Sequence, residues 1–251
     1  MRILKIVYLN VTFYFFSVLC LLVSLTGLGS LIIIFALILP KRIVMRRLRR
    51  AISWYGAVVI RILPWPLVRL SYKDFSQNNC CGPYLFVCNH RSAADPFLLS
   101  VLPYEVIQIV NIWPFRLPIL GVVAKIAGYL SVRELAFEAF LAKTSKLLKD
   151  GVSIAVFPEG TRSRDKSVGQ FHSAIFRVAL ETKMPIVPLC ITGNEFMPPV
   201  GSPYLRPGLI KIHRLGAIPW KEYRDFSPFK LKNFLRDIIM RETALMDNEN
   251  V

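Results

Sequence analysis

Beyond residue 83 the chain alternates between short apolar runs and longer segments with helical periodicity. The apolar runs have the length of strands and cover residues 84–88, 106–110, 129–132, 153–157, 186–190 and 209–213. The segments with helical periodicity cover residues 96–102, 117–127, 136–148 and 173–182, and a basic amphipathic helix is predicted over 226–246. Strands that alternate with helices are typical of α/β proteins. The pattern therefore predicts an α/β fold with a mainly parallel or mixed sheet covered by helices.

The N-terminal part of the chain is strongly apolar, and residues 6–40 contain no charged side chain. As one helix at ~1.5 Å per residue this stretch would be about 50 Å long, against roughly 30 Å for the hydrocarbon core of a bilayer. The glycines and hydroxyl residues at 26–30 are expected to break or bend it, and basic residues flank both ends. Since basic flanks favour the cytoplasmic side, the pattern favours a re-entrant, membrane-embedded helical hairpin, with one tilted span as the alternative. A cleaved signal peptide is disfavoured because the apolar run is too long.

The composition favours lipid over nucleic acid as a partner. Hydrophobic residues make up 54% of the chain, the mean hydropathy is +0.46, and the net charge is +16 with a pI near 9.9. No DNA- or RNA-binding motif occurs, whereas each Lys or Arg near an anionic bilayer contributes about 1 kcal/mol to binding. Residues 44–70 alternate basic and apolar side chains and include Trp54 and Trp65. They predict an interfacial helix broken near Pro64 and Pro66, with a helix packed on the domain as the alternative.

These patterns divide the 251-residue chain into three parts. Residues 1–43 form the N-terminal membrane segment, residues 44–72 the interfacial helix or linker, and residues 73–251 the α/β domain. No Cys-x-x-Cys pair occurs among the five cysteines, and the three histidines are dispersed, so no metal site is predicted.

The first candidate for chemistry is the sequence Asn-His-Arg-Ser-Ala-Ala-Asp at residues 89–95, which follows the apolar run 84–88. Asp95 before Pro96 is typical of a helix start, with the aspartate as N-cap. His90 is then placed at the mouth of a strand-to-helix turn, and Asp95 can fold back towards it. An imidazole oriented by a carboxylate is suited to act as a general base on a hydroxyl group near neutral pH. The alternative is a structural role only, as a helix cap and a hydrogen-bonded histidine.

The second candidate is Phe-Pro-Glu-Gly-Thr-Arg-Ser at residues 157–163, which follows another apolar strand. Gly160 can adopt a positive φ, and Thr161 and Ser163 add hydroxyl donors. Arg162 adds a planar fork that suits phosphate oxygens. A loop at the carboxyl end of a strand is where open α/β sheets bind ligands. The alternative is a solvated polar turn.

Together the two motifs resemble those of the glycerolipid acyltransferase family, whose best-known members acylate lysophosphatidic acid. Two weaker blocks follow in the family's order, at residues 128–133 and 184–189. The resemblance spans about residues 84–192, and the first and third blocks are specific in combination. The sequence departs from the family pattern at 111–116 and 170–174, which leaves the identity of the acyl acceptor open.

The resemblance implies direct transfer of an acyl group from a thioester, with His90 as the base and Asp95 holding its tautomer in an HX4D motif. It implies no covalent acyl-enzyme, no cofactor and no metal, and either acyl-CoA or acyl carrier protein as the donor. The residues implied to hold the acceptor's phosphate are Arg133, Glu159, Gly160, Thr161 and Arg162. An acidic side chain is unexpected at a phosphate, and Glu159 is alternatively a residue that orders the loop.

The leading hypothesis is a membrane acyltransferase of phospholipid biosynthesis that converts 1-acyl-glycerol-3-phosphate to phosphatidic acid. The first alternative is an acyltransferase of the same family with another acceptor, such as a lyso-aminolipid. The second is a non-catalytic membrane-binding module, against which the intact His90, Asp95 and Arg162 argue. The expected location is the inner or cytoplasmic membrane, with the catalytic domain on the cytoplasmic side, bound to the phospholipid bilayer and not to nucleic acid.

Overall fold

The computed structural model describes residues 2–76, 82–110, 115, 120–131 and 135–249. Its internal contacts divide the chain into two compact units. The first unit comprises Met1–Ser71, Ser92–Glu105 and Gly193–Ile210. The second comprises Tyr72–Arg91, Val106–Thr192 and Lys211–Val251. The domain boundaries predicted at 43/44 and 72/73 stay a prediction.

The first unit begins with a long apolar helical run. Helix α1 (Arg2–Val23) continues through a π-helical turn (Ser24–Leu28) into helix α2 (Gly29–Ile38). Within the described residues one run, Ile3–Ile38, is long and apolar enough to cross a membrane. The break expected at 26–30 is wrong, because Gly29 keeps a helical φ of −63°. Glycine permits a break without imposing one, and the apolar helix formers on both sides carry the helix through.

The chain reverses instead at Pro40, whose ψ of 139° lies outside the helical region. Helix α3 (Lys41–Ala57) then packs back against α2. The guanidinium carbon of Arg47 lies 4.5 Å from the ring centroid of Phe35 across this pair. The hairpin predicted within residues 6–40 is therefore wrong, since this stretch is one helical run, and the second arm of the observed hairpin is the basic helix α3. Whether the run lies in a membrane stays a prediction.

The interfacial helix predicted over 44–70 is wrong in its last part. Helix α3 ends at Ala57, a π-helical turn covers Val58–Ile62, and strand β1 covers Val68–Asp74. The prolines at 64 and 66 end the helix as expected, since proline cannot donate a helical hydrogen bond. The following residues alternate in polarity with a period of two, which is the pattern of a strand with one solvated face.

Seven strands form one sheet in the part of the chain that the structure describes. After β1, the strands are β2 (Leu85–Cys88), β3 (Val106–Val110), β4 (Leu130–Ser131), β5 (Ser153–Val156), β6 (Ile186–Thr192) and β7 (Gly208–Arg214). Their order is β1-β7-β6-β2-β5-β3-β4. The pairs β2–β5, β2–β6, β3–β5 and β3–β4 are parallel, and β6–β7 is antiparallel. The predicted mixed, mainly parallel sheet is confirmed.

The helices predicted beyond residue 95 are confirmed to within a few residues. They are α4 (Asp95–Leu98), α5 (Leu120–Ala127), α6 (Phe137–Lys149), α7 (Ala174–Thr182) and α9 (Pro228–Asn248), and the short helix α8 (Trp220–Tyr223) was not predicted. The helix predicted over 96–102 is shorter, because a 3₁₀ turn (Leu99–Val101) follows α4. Helix α9 begins where Ser227 Oγ accepts the backbone N–H of Lys230 at 3.1 Å, with proline at the first helical position.

The core of the second unit is built from the sheet and the helices that cover it. Leu85 and Val87 of β2 belong to the same buried cluster as Phe176 of α7 and Leu235 and Ile239 of α9. All four residues of β2 are fully buried, which explains why the central strand reads as a continuous apolar run rather than an alternating one.

Candidate active site

The two sequence motifs begin at the same edge of the sheet. Strand β2 pairs with β5 in parallel, with Val87 opposite Val156. Because parallel strands end at the same edge, the loops after β2 and β5 start side by side. The ring centroids of His90 and Phe157, one from each loop, are 4.7 Å apart.

The backbone of His90 forms hydrogen bonds to the second motif through both its N–H and its carbonyl. Its N–H donates to Oε1 of Glu159 at 2.7 Å, and its carbonyl accepts the N–H of Ser163 at 2.8 Å. The histidine itself is half-buried. The position of His90 is therefore set by residues about seventy positions later in the chain.

Glu159 is 5% exposed, and both of its oxygens accept backbone N–H groups. The second oxygen, Oε2, accepts the N–H of Gly169 at 2.8 Å. A carboxylate suits this place because it is an acceptor at both oxygens. A Cβ at position 169 would lie 2.8 Å from Oε2, so the bond requires glycine there. These contacts support the alternative that Glu159 orders the loop.

Gly160 adopts the expected positive φ, 69°. Its N–H donates back to the carbonyl of Phe157 at 3.1 Å. A Cβ at this position would lie 3.2 Å from the His172 ring. Next to it, Thr161 is exposed and Arg162 is half-buried at the surface.

Asp95 lies in the first unit and is completely buried. It is the first residue of α4, and the N-cap is Ala94, so the predicted N-cap role is wrong by one position. The carboxylate instead turns back along the chain, where Oδ2 accepts the N–H of Ser92 at 2.9 Å. Oδ1 accepts a hydrogen bond from the side-chain amide of Asn194.

Asn89, the first residue of the motif, is a structural extension of β2. Its amide nitrogen donates to the carbonyl of Ile191 at 2.8 Å, and its amide oxygen accepts the N–H of the same residue at 2.8 Å. The side chain thus replaces one rung of the β2–β6 ladder where β2 has ended.

Arg91 points to the end of the C-terminal helix. Its two terminal nitrogens donate to the two carboxylate oxygens of Asp247 at 3.0 and 2.8 Å. The arginine side chain is 3% exposed and the aspartate 29%. This bidentate pair joins the first motif to α9 within the second unit.

Comparison with known proteins identifies the domain. Residues 69–192 match the sequence model of the family described as Acyltransferase. This part of the chain belongs to the acyltransferase family. Both motifs lie within the matched residues.

Two curated relatives of the domain are both named as 1-acyl-sn-glycerol-3-phosphate acyltransferases. A 1-acyl-sn-glycerol-3-phosphate acyltransferase of Cocos nucifera is 26% identical over 179 residues, which cover 68% of this chain and 57% of the relative. A chloroplastic 1-acyl-sn-glycerol-3-phosphate acyltransferase of Arabidopsis thaliana is 32% identical over 123 residues, which cover 48% of this chain and 35% of the relative. The chain thus spans little more than half of the first relative and about a third of the second.

A solved structure has the same fold. The crystal structure of the 1-acyl-sn-glycerophosphate acyltransferase PlsC from Thermotoga maritima superposes with a TM-score of 0.79 and covers 98% of both chains. The sequence identity is 20%, so this similarity concerns the fold.

The weaker blocks of the acyltransferase domain fall partly outside the described residues. Arg133, predicted to bind phosphate, lies outside them, as do residues 111–114 and 116. The fourth block is β6, where Pro188 lies opposite Val87.

Three residues that support the site were not found by sequence reasoning, namely Gly169, Asn194 and Asp247. Each acts through a partner at least ten positions away, and no local pattern marks such a pairing. Among them only Gly169 has a weak sequence signal, because it is a small residue shortly after the second motif.

Proposed function

We propose that this protein is a membrane-associated O-acyltransferase that moves a fatty acyl group from a thioester to the hydroxyl of 1-acyl-glycerol-3-phosphate, giving phosphatidic acid. The observation that carries the proposal is the pairing of the two motifs. The loop with His90 and the loop with Gly160, Thr161 and Arg162 start at one edge of the sheet, joined by the His90–Glu159 and Ser163–His90 hydrogen bonds. The names of the two curated relatives support the choice of acceptor.

In the proposed reaction His90 removes the proton from the acceptor hydroxyl, and the alkoxide oxygen attacks the thioester carbonyl. The new C–O bond forms as the C–S bond breaks, and the imidazolium returns its proton to the departing thiolate. Asp95, five residues further along the chain, would hold the imidazole in one tautomer and stabilise its charged form. No covalent acyl-enzyme, metal or cofactor enters this scheme.

The acceptor's phosphate would be held by Thr161 and Arg162, with Arg133 as a second anchor. Gly160 would let the backbone approach the phosphate closely because it carries no side chain. Glu159 has a different task in this proposal, since both of its oxygens already bind backbone N–H groups that shape the loop. The phosphate would therefore meet the donors that follow Glu159, and not the carboxylate.

The membrane would deliver the acceptor. The run Ile3–Ile38 is apolar and largely exposed, and α3 follows it with six basic side chains between residues 41 and 50. Trp54 and Trp65 are 52% and 68% exposed, as expected for residues at a membrane interface. We place the protein in the cytoplasmic membrane with the catalytic domain on the cytoplasmic side. If the run Ile3–Ile38 enters the membrane without crossing it, labels at residue 1 and near residue 45 should lie on one side, and labels on opposite sides would establish a single span instead.

The deciding experiment is acyl transfer by the purified full-length chain in detergent. Acyl-CoA and acyl carrier protein thioesters are offered with a panel of lysolipids that includes lysophosphatidate and a lyso-aminolipid. Transfer to lysophosphatidate that is lost in His90→Ala, with an unchanged melting temperature and vesicle binding, supports the proposal and identifies the donor. Transfer only to another lipid would correct the acceptor, and near-normal turnover by His90→Ala would overturn the mechanism.

A matched pair of arginine variants tests the phosphate site. Arg162→Ala should raise the acceptor KM by about tenfold or more, since a hydrogen bond to a charged group contributes about 1.5–3 kcal/mol. Arg224→Ala removes an exposed arginine that pairs with Asp225 at the surface, and the acceptor KM should not change. An equal KM for both variants would exclude Arg162 from the phosphate site.

A further inference from the structure

The buried carboxylate of Asp95 has a partner that no motif indicates. Asp95 and Asn194 are both fully buried, and the amide of Asn194 donates to Oδ1 while the N–H of Ser92 donates to Oδ2 at 2.9 Å. A buried carboxylate needs donors of this kind, because burial without hydrogen bonds is costly. Both of these donors to the Asp95 carboxyl group belong to the first unit, as Asp95 itself does.

Asn194 lies at the start of a loop, residues 193–207. This loop makes a second hydrogen bond to the segment that contains Asp95, through Ser92. Ser92 Oγ donates to the carbonyl of Met197, and the carbonyl of Asn194 accepts the N–H of Met197 at 2.9 Å. Further on, the N–H of Arg206 donates to the carbonyl of Phe196 at 3.1 Å. The position of Asn194 therefore depends on the conformation of the whole loop.

The far end of this loop is held by the apolar N-terminal helix. Asn10 of α1 donates from Nδ2 to the carbonyl of Leu205 at 3.0 Å and accepts the N–H of Leu205 at Oδ1 at 2.8 Å. Asn10 is 8% exposed and Leu205 is 1% exposed. One turn further along α1, the hydroxyl of Tyr14 donates to the carbonyl of Pro203.

A buried asparagine in an apolar helix destabilises the protein unless its amide forms hydrogen bonds. The two hydrogen bonds from Asn10 to the backbone of Leu205 satisfy this amide. An amide that both donates to and accepts from the same residue fixes that residue in the manner of a β-bridge. The helix that makes these bonds is the one whose remaining surface is largely exposed and apolar.

We propose that Asn194 is a positioning residue for Asp95, and that Asn10 of the apolar helix holds the loop that places Asn194. The proposal rests on the proposed function, in which Asp95 orients His90. The N-terminal helix then supports the reaction through this loop, in addition to any attachment to the membrane.

The kinetic test uses Asn194→Leu and Asn10→Leu in the full-length protein, with Thr12→Val as the control. Thr12 lies on the same helix, and its hydroxyl donates only within that helix, to the carbonyls of Tyr8 and Leu9. Both leucine variants should lower kcat by about tenfold to a hundredfold, as expected when a buried polar group loses its partner, and leave the acceptor KM within about twofold. Thr12→Val should match the wild type, and all variants should sediment equally with phospholipid vesicles.

A second measurement is independent of turnover. Hydrogen exchange of the peptide covering residues 198–207 should be faster in Asn10→Leu, because the Leu205 N–H loses its acceptor, and unchanged in Thr12→Val. If Asn10→Leu does not fold, Tyr14→Phe removes one bond to the same loop and should show a smaller change in the same direction.

The two measurements separate the two proposals. Faster exchange in a protein that acylates no lysophospholipid would overturn the proposed function and leave the support of the loop by Asn10 intact. A wild-type kcat in Asn194→Leu or in Asn10→Leu would overturn the positioning role. Unchanged exchange in Asn10→Leu would overturn the link between the helix and the loop.

Discussion

Glu159 Oε1 accepts the backbone N–H of His90 at 2.7 Å, and this bond joins the two motifs of the domain. The same carboxylate accepts the N–H of Gly169 at 2.8 Å. One buried side chain therefore ties the loop after β2 to both ends of the loop after β5. The acidic residue of the second motif is explained by this geometry without any contact to a ligand.

Replacing Glu159 with glutamine should lower kcat more than it raises the acceptor KM. The amide offers one acceptor oxygen where two N–H donors point, and a buried donor left without a partner costs about 1–3 kcal/mol. We expect kcat to fall by roughly tenfold or more. Glu138→Gln, the same change at an exposed position on α6, should leave kcat unchanged. Equal activity of the two variants would show that the carboxylate does not support His90.

Gly160→Ala and Gly151→Ala form a matched pair. Both glycines have a positive φ, 69° and 80°, so alanine should cost each roughly 1 kcal/mol of stability. A Cβ at Gly160 would lie 3.2 Å from the His172 ring, whereas nothing lies within 4 Å of one at Gly151. Melting temperatures should fall in both variants. The acceptor KM should rise only in Gly160→Ala. A rise in both variants would mean that the loss of stability, and not the change at Gly160 itself, weakens acceptor binding.

Removal of Asp247 should destabilise the second unit. The variant Asp247→Ala leaves the buried guanidinium of Arg91 without its bidentate partner, at a cost on the order of 3 kcal/mol. For a chain of this size the melting temperature should fall by about 6–12 °C.

The control for this prediction is Asp225→Ala. Asp225 pairs with Arg224 at the surface, where the two side chains are 85% and 62% exposed. Exposed pairs contribute about 0–1 kcal/mol, so the melting temperature should hardly change. A similar shift in both variants would contradict a special role for the Arg91–Asp247 pair.

Cys190 should be inert to alkylation in the folded protein. Burial raises the pKa of its thiol well above the ordinary value, and the nearby carboxylate of Glu242 raises it further. The reactive species is the thiolate, so iodoacetamide at pH 8 should modify Cys190 only after denaturation. Site-resolved mass spectrometry with and without denaturant measures this. Rapid labelling of Cys190 in the native state would show that β6 opens to solvent.

Sequence patterns located most of the strands and helices but misassigned two segments. Residues 68–70 were joined to a helix because the basic and aromatic side chains before them suggested an interface, whereas they begin the edge strand β1. Residues 26–30 were expected to break or bend the apolar helix, whereas a π-helical turn at Ser24–Leu28 leads into α2 without a break. In both cases local composition allowed two structures, and the packing of neighbouring elements selected one.

The sequence by itself determined the α/β class, the positions of β2 to β7 along the chain, the apolar N-terminal segment and the two motifs with His90, Asp95 and Arg162. These features are local, because side-chain periodicity and turn chemistry follow from neighbouring residues. Only the tertiary structure decided that β2 lies between β5 and β6, that Glu159 and Asp247 bind the loop after β2, and that Asn194 binds Asp95. Such pairings depend on the order of strands in the sheet and on how its helices pack. That information resides in the whole set of buried contacts and in no single stretch of sequence.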